Sequence, residues 1–224
     1  MTISDLFHLW GIFLGTFIGL LPVVDPLSAT LMFLTITEGQ SNERRHEQAR
    51  WGCLYMVAIL VSFLIGGRFI MTFFGISIPG IRITGGILLT GIGMNMLAAH
   101  RSDIGGDASE REAARQKDDI SFSPLAMPML SGPGSIAVTL GFTSLATGWA
   151  DYIAIIAAIV AMATLTYIIL RLAVPGMKFI GPVGVNAMTR IMGFLTMCIG
   201  VQFVVNGILD PELLRGLGAA LSGR

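Results

Sequence analysis

The segment at residues 20–34, LLPVVDPLSATLMFL, constrains this chain more than any other. It lies inside an apolar run at 9–36 and contains Pro22, Asp25 and Pro26. A proline inside a helix removes one hydrogen bond and clashes with the carbonyl one turn back. It also pushes the residue before it out of the helical region. The run therefore reads as two half-helices joined by an unwound segment at 21–26. Hydrocarbon tolerates irregular backbone only where protein or a polar cavity surrounds it. A second such segment, LAMPMLSGPGSIAVTL at 125–140, carries Pro128 and Pro133. Paired interrupted helices in the two halves of a membrane chain point to a transporter's binding site.

Composition identifies the solvent. The 224 residues are 54% hydrophobic and 12% charged, against about 25% charged in soluble domains. Apolar runs long enough to cross about 30 Å of hydrocarbon fall at 9–36, 52–74, 83–99, 122–145, 152–172 and 191–209. The expected fold is an all-α integral membrane protein with six transmembrane helices, the first and fourth broken at prolines. Net charge is zero, so nothing suggests nucleic acid as a partner. Cys53 and Cys198 sit in apolar runs and read as small buried hydrophobes. No Lys or Arg precedes the first run, so a cleavable signal is not expected and the span is retained. Ten of the 14 Lys and Arg residues fall in or beside the links at 37–51, 100–121 and 173–190. The positive-inside rule puts these links in the cytoplasm and both termini in the periplasm.

An internal repeat sets the expected architecture. Pro22, Pro26 and Ser28 match Pro128, Pro133 and Ser135. Arg82-Ile83 with Gly85 matches Arg190-Ile191 with Gly193, and 92–95 matches 199–202. Three spans per copy is an odd number, so the second copy enters the membrane upside down. Residues 1–99 form the first repeat and 122–209 the second, inverted one. Between them lies a polar cytoplasmic loop at 100–121. A short periplasmic tail follows at 210–224.

Three stretches then carry a resemblance: FGISIPGIRITGG at 74–86, FSPLAMPMLSGPGS at 122–135 and RIMGFLTMCIGVQFVVNGI at 190–208. They resemble the MarC family of bacterial inner-membrane proteins, and the likeness runs from Asp25-Pro26 to Asn206-Gly207. That family is similar to small neutral amino acid transporters of the SnatA type and is grouped with the LysE exporter superfamily. The resemblance implies the fold, the inner membrane, and transport of glycine- or alanine-like substrates. It does not imply drug efflux.

The candidate site is read from residue chemistry. Asp25 is the one acid deep in a span, and a carboxylate there costs about 3 kcal/mol on insertion scales. It reads either as a site for a proton, a sodium ion or a substrate ammonium, or as the N-cap of a helix starting at Pro26. The half-helix starts at Pro26 and Pro133 leave free N–H groups suited to a carboxylate. Ser28, Thr30, Ser131 and Ser135 add hydroxyls, while Gly132 and Gly134 let a ligand approach the backbone. Asn95 and Gln202 occupy matched places and read as interhelical glue or substrate contacts. Arg68 reads as snorkelling to the outer interface, with pairing to Asp25 the sharper alternative.

No metal site, cofactor or nucleophile–base pair is legible, so an enzyme is not expected. No GxxxxGK[ST] loop supports ATP drive. The expected partners are the bilayer and a small-molecule substrate, coupled to a proton or sodium ion. Whether copies of the chain form a homo-oligomer stays open. The rival reading is a non-transporting membrane scaffold or stress-related protein.

Overall fold

The computed structural model describes residues 3–98, 117, 119–143, 146, 148–211 and 213–215. The loop expected at 100–121 and the tail at 210–224 lie mostly outside them. Eight helical segments are described: α1 (Ile3–Val24), α2 (Pro26–Ile36), α3 (Asn42–Phe74), α4 (Ile78–Ala98), α5 (Ser121–Leu130), α6 (Pro133–Thr143), α7 (Trp149–Arg171) and α8 (Ala173–Ile208). No strand occurs among the described residues.

Local chemistry explains the ends. Ser41 caps α3 by accepting the Arg44 N–H at 3.3 Å, and Gly75 closes it at φ 65°, a region that suits glycine. At the end of α2, Arg45 donates to the Thr37 carbonyl through Nε (3.1 Å) and Nη2 (2.8 Å). A cation there offsets the partial negative charge of a helix C-terminus. Asp119 precedes α5 and accepts the Ser121 N–H at 2.8 Å. Ser121, through its hydroxyl and its N–H, holds that carboxyl below the usual carboxylate range.

α5 is wide-turned: the Leu125 N–H reaches the Ile120 carbonyl and the Ser131 N–H reaches that of Ala126, each five residues back. Its two extended residues, Ser123 and Met127, stand immediately before Pro124 and Pro128, where proline disfavours helix. α8 begins earlier than the apolar run suggested. The expected link at 173–190 is mostly helical, with Gly181 at φ 65°, ψ 167° as its break. Pro175 falls in the first turn of α8, where its missing N–H costs nothing.

Five stretches are long and apolar enough to cross a membrane: Asp5–Val24, α3, α4, α7 and Val183–Ile208 of α8. The α5–α6 pair, bent by 58°, makes a sixth if it forms one span. Lipid solvates leucine as well as another leucine does, so close packing has to hold such helices together. The tightest seam joins α4 to α8. A Cβ on Gly86 would lie 2.5 Å from the Gly200 carbonyl oxygen, and one on Gly93 would lie 2.5 Å from that of Gly193. As the number rises by seven on α4 it falls by seven on α8, so the two helices run antiparallel. Around this seam α1 packs on α7, α5 on α3, α6 on α4 and α1, and α2 on α8 and α7. Leu20, Phe33, Met56, Leu60, Leu89, Ile155, Ile159 and Met162 fill the interior.

Candidate functional site

The interruption in the first run is narrower than expected at 21–26. Asp25 alone leaves the helical region, at φ 38°, ψ 71°. Its N–H still reaches the Leu21 carbonyl (3.1 Å), and its own carbonyl accepts from Ala29 (3.1 Å). α1 therefore runs through Pro22 to Val24, and α2 starts at Pro26. Left-handed backbone is costly for a residue with a Cβ, and Asp is among the few that adopt it. The expected cap is present: Asp25 is the N-cap of α2 and Pro26 its first residue.

Asp25 is 5% exposed. Its carboxylate accepts the Ser28 N–H at 3.4 Å and the Ser28 hydroxyl. Ser28 Oγ lies 2.6 Å from Thr189 Oγ1 on α8. The Thr189 hydroxyl also donates to the Val185 carbonyl at 3.0 Å, so the Asp25 carboxyl, the two hydroxyls and that carbonyl form one polar chain. Thr196, seven residues further along α8, serves the other side of the break. Pro26 has no N–H to give the carbonyl of Pro22 four residues back. Thr196 Oγ1 lies 3.1 Å from that carbonyl and donates to it, sharing its one proton with the Met192 carbonyl of its own helix at 2.8 Å.

Neither threonine was singled out in the sequence. The signal was the pattern Thr189, Gly193, Thr196, Gly200, which falls on one face of a helix.

The second start is arranged differently. Gly132 precedes Pro133 and has no side chain to cap α6. Ser131 is 0% exposed, and its hydroxyl has no hydrogen-bond partner among the described residues. Ser135 bonds the Leu130 carbonyl at 3.1 Å, and Thr30 bonds that of Pro26 at 2.7 Å, so both hydroxyls serve their own backbone. A Cβ on Gly132 would lie 2.6 Å from the Pro128 carbonyl oxygen. One on Gly134 would lie 2.8 Å from Val23 Cγ1 and 3.3 Å from Leu89 Cδ2. The start of α6 is thus pressed against the last turn of α1, beside Asp25.

The glycine seam fixes the relative height of the two starts. Gly86 faces Gly200 and Gly93 faces Gly193, which sets Leu89 on α4 level with Met197 on α8, one residue from Thr196. Leu89 touches the start of α6, and Thr196 touches the carbonyl beside Asp25. Both starts therefore stand at one level of the α4–α8 pair. Thr196 lies at the middle of the Val183–Ile208 stretch.

Three expected residues lie elsewhere. Asn95 and Gln202 are exposed, and Gln202 donates to Asn206 at 2.8 Å. No described hydrogen bond links either to the Asp25 group. Each stands two residues from a seam glycine, about 200° around the helix, so the packing that buries Gly93 and Gly200 turns these amides outward. Arg68 is exposed, with no described bond to Asp25. No group of three metal-ligating side chains occurs among the described residues.

The model of the MarC family, described as integral membrane proteins, matches residues 10–211. The chain belongs to the MarC family. MarC relatives named UPF0056 inner membrane protein MarC, from Salmonella paratyphi A and Citrobacter koseri, are each 35% identical over 216 residues. The alignment covers 92% of this chain and 96% of each relative. The protein of that name from Escherichia coli O1:K1 / APEC is 34% identical over the same span. The MarC match contains Asp25, both helix starts and the α4–α8 seam. No solved structure matches the chain.

Proposed function

We propose that this MarC-family protein is a secondary transporter of small neutral amino acids, glycine- or alanine-like, in the bacterial inner membrane. Two inverted three-helix repeats would alternate access around the starts of α2 and α6. The observation that carries the reading is the pairing of those starts at one level, with a buried carboxylate at one of them. A small zwitterion has the charges for such a place. Its ammonium would face Asp25, and the close approach at Gly132 and Gly134 would limit its side chain.

Several relations support the inverted repeat. α2 and α6 each have 11 residues, and Pro133 follows Pro26 by 107 positions. α3 and α7 start at Asn42 and Trp149, again 107 apart. Gly86 and Gly193 differ by 107, as do Gly93 and Gly200. The Gly86–Gly200 and Gly93–Gly193 contacts are then one contact met twice, as a two-fold axis between antiparallel equivalents requires. α1 lies on α7 as α5 lies on α3. The glycine equivalent to Gly193 is accordingly Gly86, one place beyond the Gly85 suggested by the sequence.

Orientation rests on the Lys and Arg distribution, with both termini outside. The coupling ion in this reading is a proton or sodium ion exchanged at Asp25. Proteoliposome uptake of labelled alanine and glycine tests the proposal. Active wild type with impaired Asp25→Asn and Pro133→Ala supports it. No flux for any amino acid would leave a non-transporting scaffold.

A further inference from the structure

The two helix starts occupy equivalent places yet differ in one respect, and that difference identifies a ligand group. At the start of α2 the chain supplies its own carboxyl group. The Asp25 carboxylate accepts the Ser28 N–H and the Ser28 hydroxyl. The position 107 residues later is Gly132, with no side chain. The first turn of α6 keeps the N–H groups of Gly134 and Ser135, and Pro133 has none to offer. Directly before it stands Ser131, fully buried, whose hydroxyl has no partner among the described residues. A buried hydroxyl left unpaired is uncommon and asks for an explanation.

We infer that the start of α6 is a carboxylate subsite, where a ligand's carboxylate does for the first turn what the Asp25 side chain does at α2. The N–H groups of the first turn and the Ser131 hydroxyl hold it. Gly132 brings no side chain to cap α6, and because its Cβ direction is filled by the Pro128 carbonyl oxygen at 2.6 Å the ligand has to enter from the α1 side. No Lys or Arg is buried among the described residues, so the helix end supplies the positive field. Val23 covers Gly134 in this conformation, and the last turn of α1 must shift to admit the ligand. The ligand class is a small carboxylate. Only the placing of an ammonium near Asp25 rests on the transport reading above.

The test compares three ligands by their effect on the thermal unfolding of the purified protein in detergent. They are alanine, propionate (the carboxylate alone) and alaninamide (the amine without a carboxylate). The account predicts that alanine and propionate stabilise the wild type and alaninamide does not. Ser131→Ala, whose lost hydroxyl made no hydrogen bond, keeps its fold and weakens both carboxylates about tenfold. Asp25→Asn abolishes the advantage of alanine over propionate and leaves propionate bound. Stabilisation by alaninamide equal to that by alanine overturns the subsite. So does unchanged affinity in Ser131→Ala, or no stabilisation by either carboxylate, even if alanine is transported. The predicted pattern without any flux keeps the subsite and removes only the transport reading.

Discussion

Thr196 Oγ1 donates to the carbonyl oxygen of Pro22 across 3.1 Å while also bonding the Met192 carbonyl of its own helix at 2.8 Å, and the Pro22 carbonyl is the one that Pro26 leaves without an N–H. A side chain on α8 thus shares in the hydrogen bonding of α1, as irregular backbone buried in protein requires. The pairing ties the break at Asp25 to a fixed point on the α4–α8 seam.

Thr196→Val keeps the shape and removes the donor. The Pro22 carbonyl is then buried without a partner, at a cost of about 1 kcal/mol, towards the low end of the range for an unpaired buried group because membrane hydrogen bonds are individually modest. Thermal unfolding in detergent should fall by a few degrees, and Thr196→Ser should restore most of it.

The glycine seam gives a second prediction with an internal control. A methyl at Gly86 or Gly200 meets backbone atoms at 2.5–2.6 Å, so Gly86→Ala and Gly200→Ala should each destabilise by about 1–3 kcal/mol. Gly91, on the same helix as Gly86, has nothing within 4 Å of its added Cβ. Gly91→Ala should leave stability unchanged or raise it by up to about 1 kcal/mol through helix propensity. Chemical unfolding of the three variants checks both halves.

Asp25 separates structure from activity. Asn caps a helix nearly as well as Asp and also tolerates left-handed backbone. Asp25→Asn should therefore stay folded, with unfolding close to wild type, while uptake and its response to an imposed ion gradient are lost. Asp25→Ala should lose both, because the cap goes and a left-handed alanine is strained by about 1 kcal/mol or more. Circular dichroism beside the flux assay distinguishes the two variants.

Arg45 offers a prediction away from the site. Its guanidinium makes two hydrogen bonds to one carbonyl at the end of α2. Arg45→Gln should loosen that end by about 1–2 kcal/mol. Faster hydrogen exchange at 36–40 would report it, with α6 unaffected.

Much of this was legible because proline and glycine act through the backbone. Pro26 after Asp25 announced a helix start, and Pro133 after Gly132 announced its counterpart. Pro22 does not end α1. A helix can absorb a proline where a neighbour satisfies the freed carbonyl or the chain bends slightly, and no pattern inside α1 showed that. Thr189 and Thr196 were missed because their role lies in which helix faces them, which depends on tertiary packing. The polarity of Asn95 and Gln202 suggests an inward face, yet both are exposed. The glycines beside them decided the face instead, since only glycine allows backbones to approach so closely. The unpartnered Ser131 could not be read from the sequence at all, because an absent partner is a property of the fold.

The account depends on the two repeats entering the membrane in opposite senses. In a background with Cys53 and Cys198 replaced, single cysteines at Asn42 and Trp149, both exposed helix starts 107 residues apart, report that sense directly. Labelling with a membrane-impermeant maleimide should reach Trp149→Cys only from outside and Asn42→Cys only from the cytoplasm. Labelling of both from the same side would contradict the inverted repeat and, with it, the shared site.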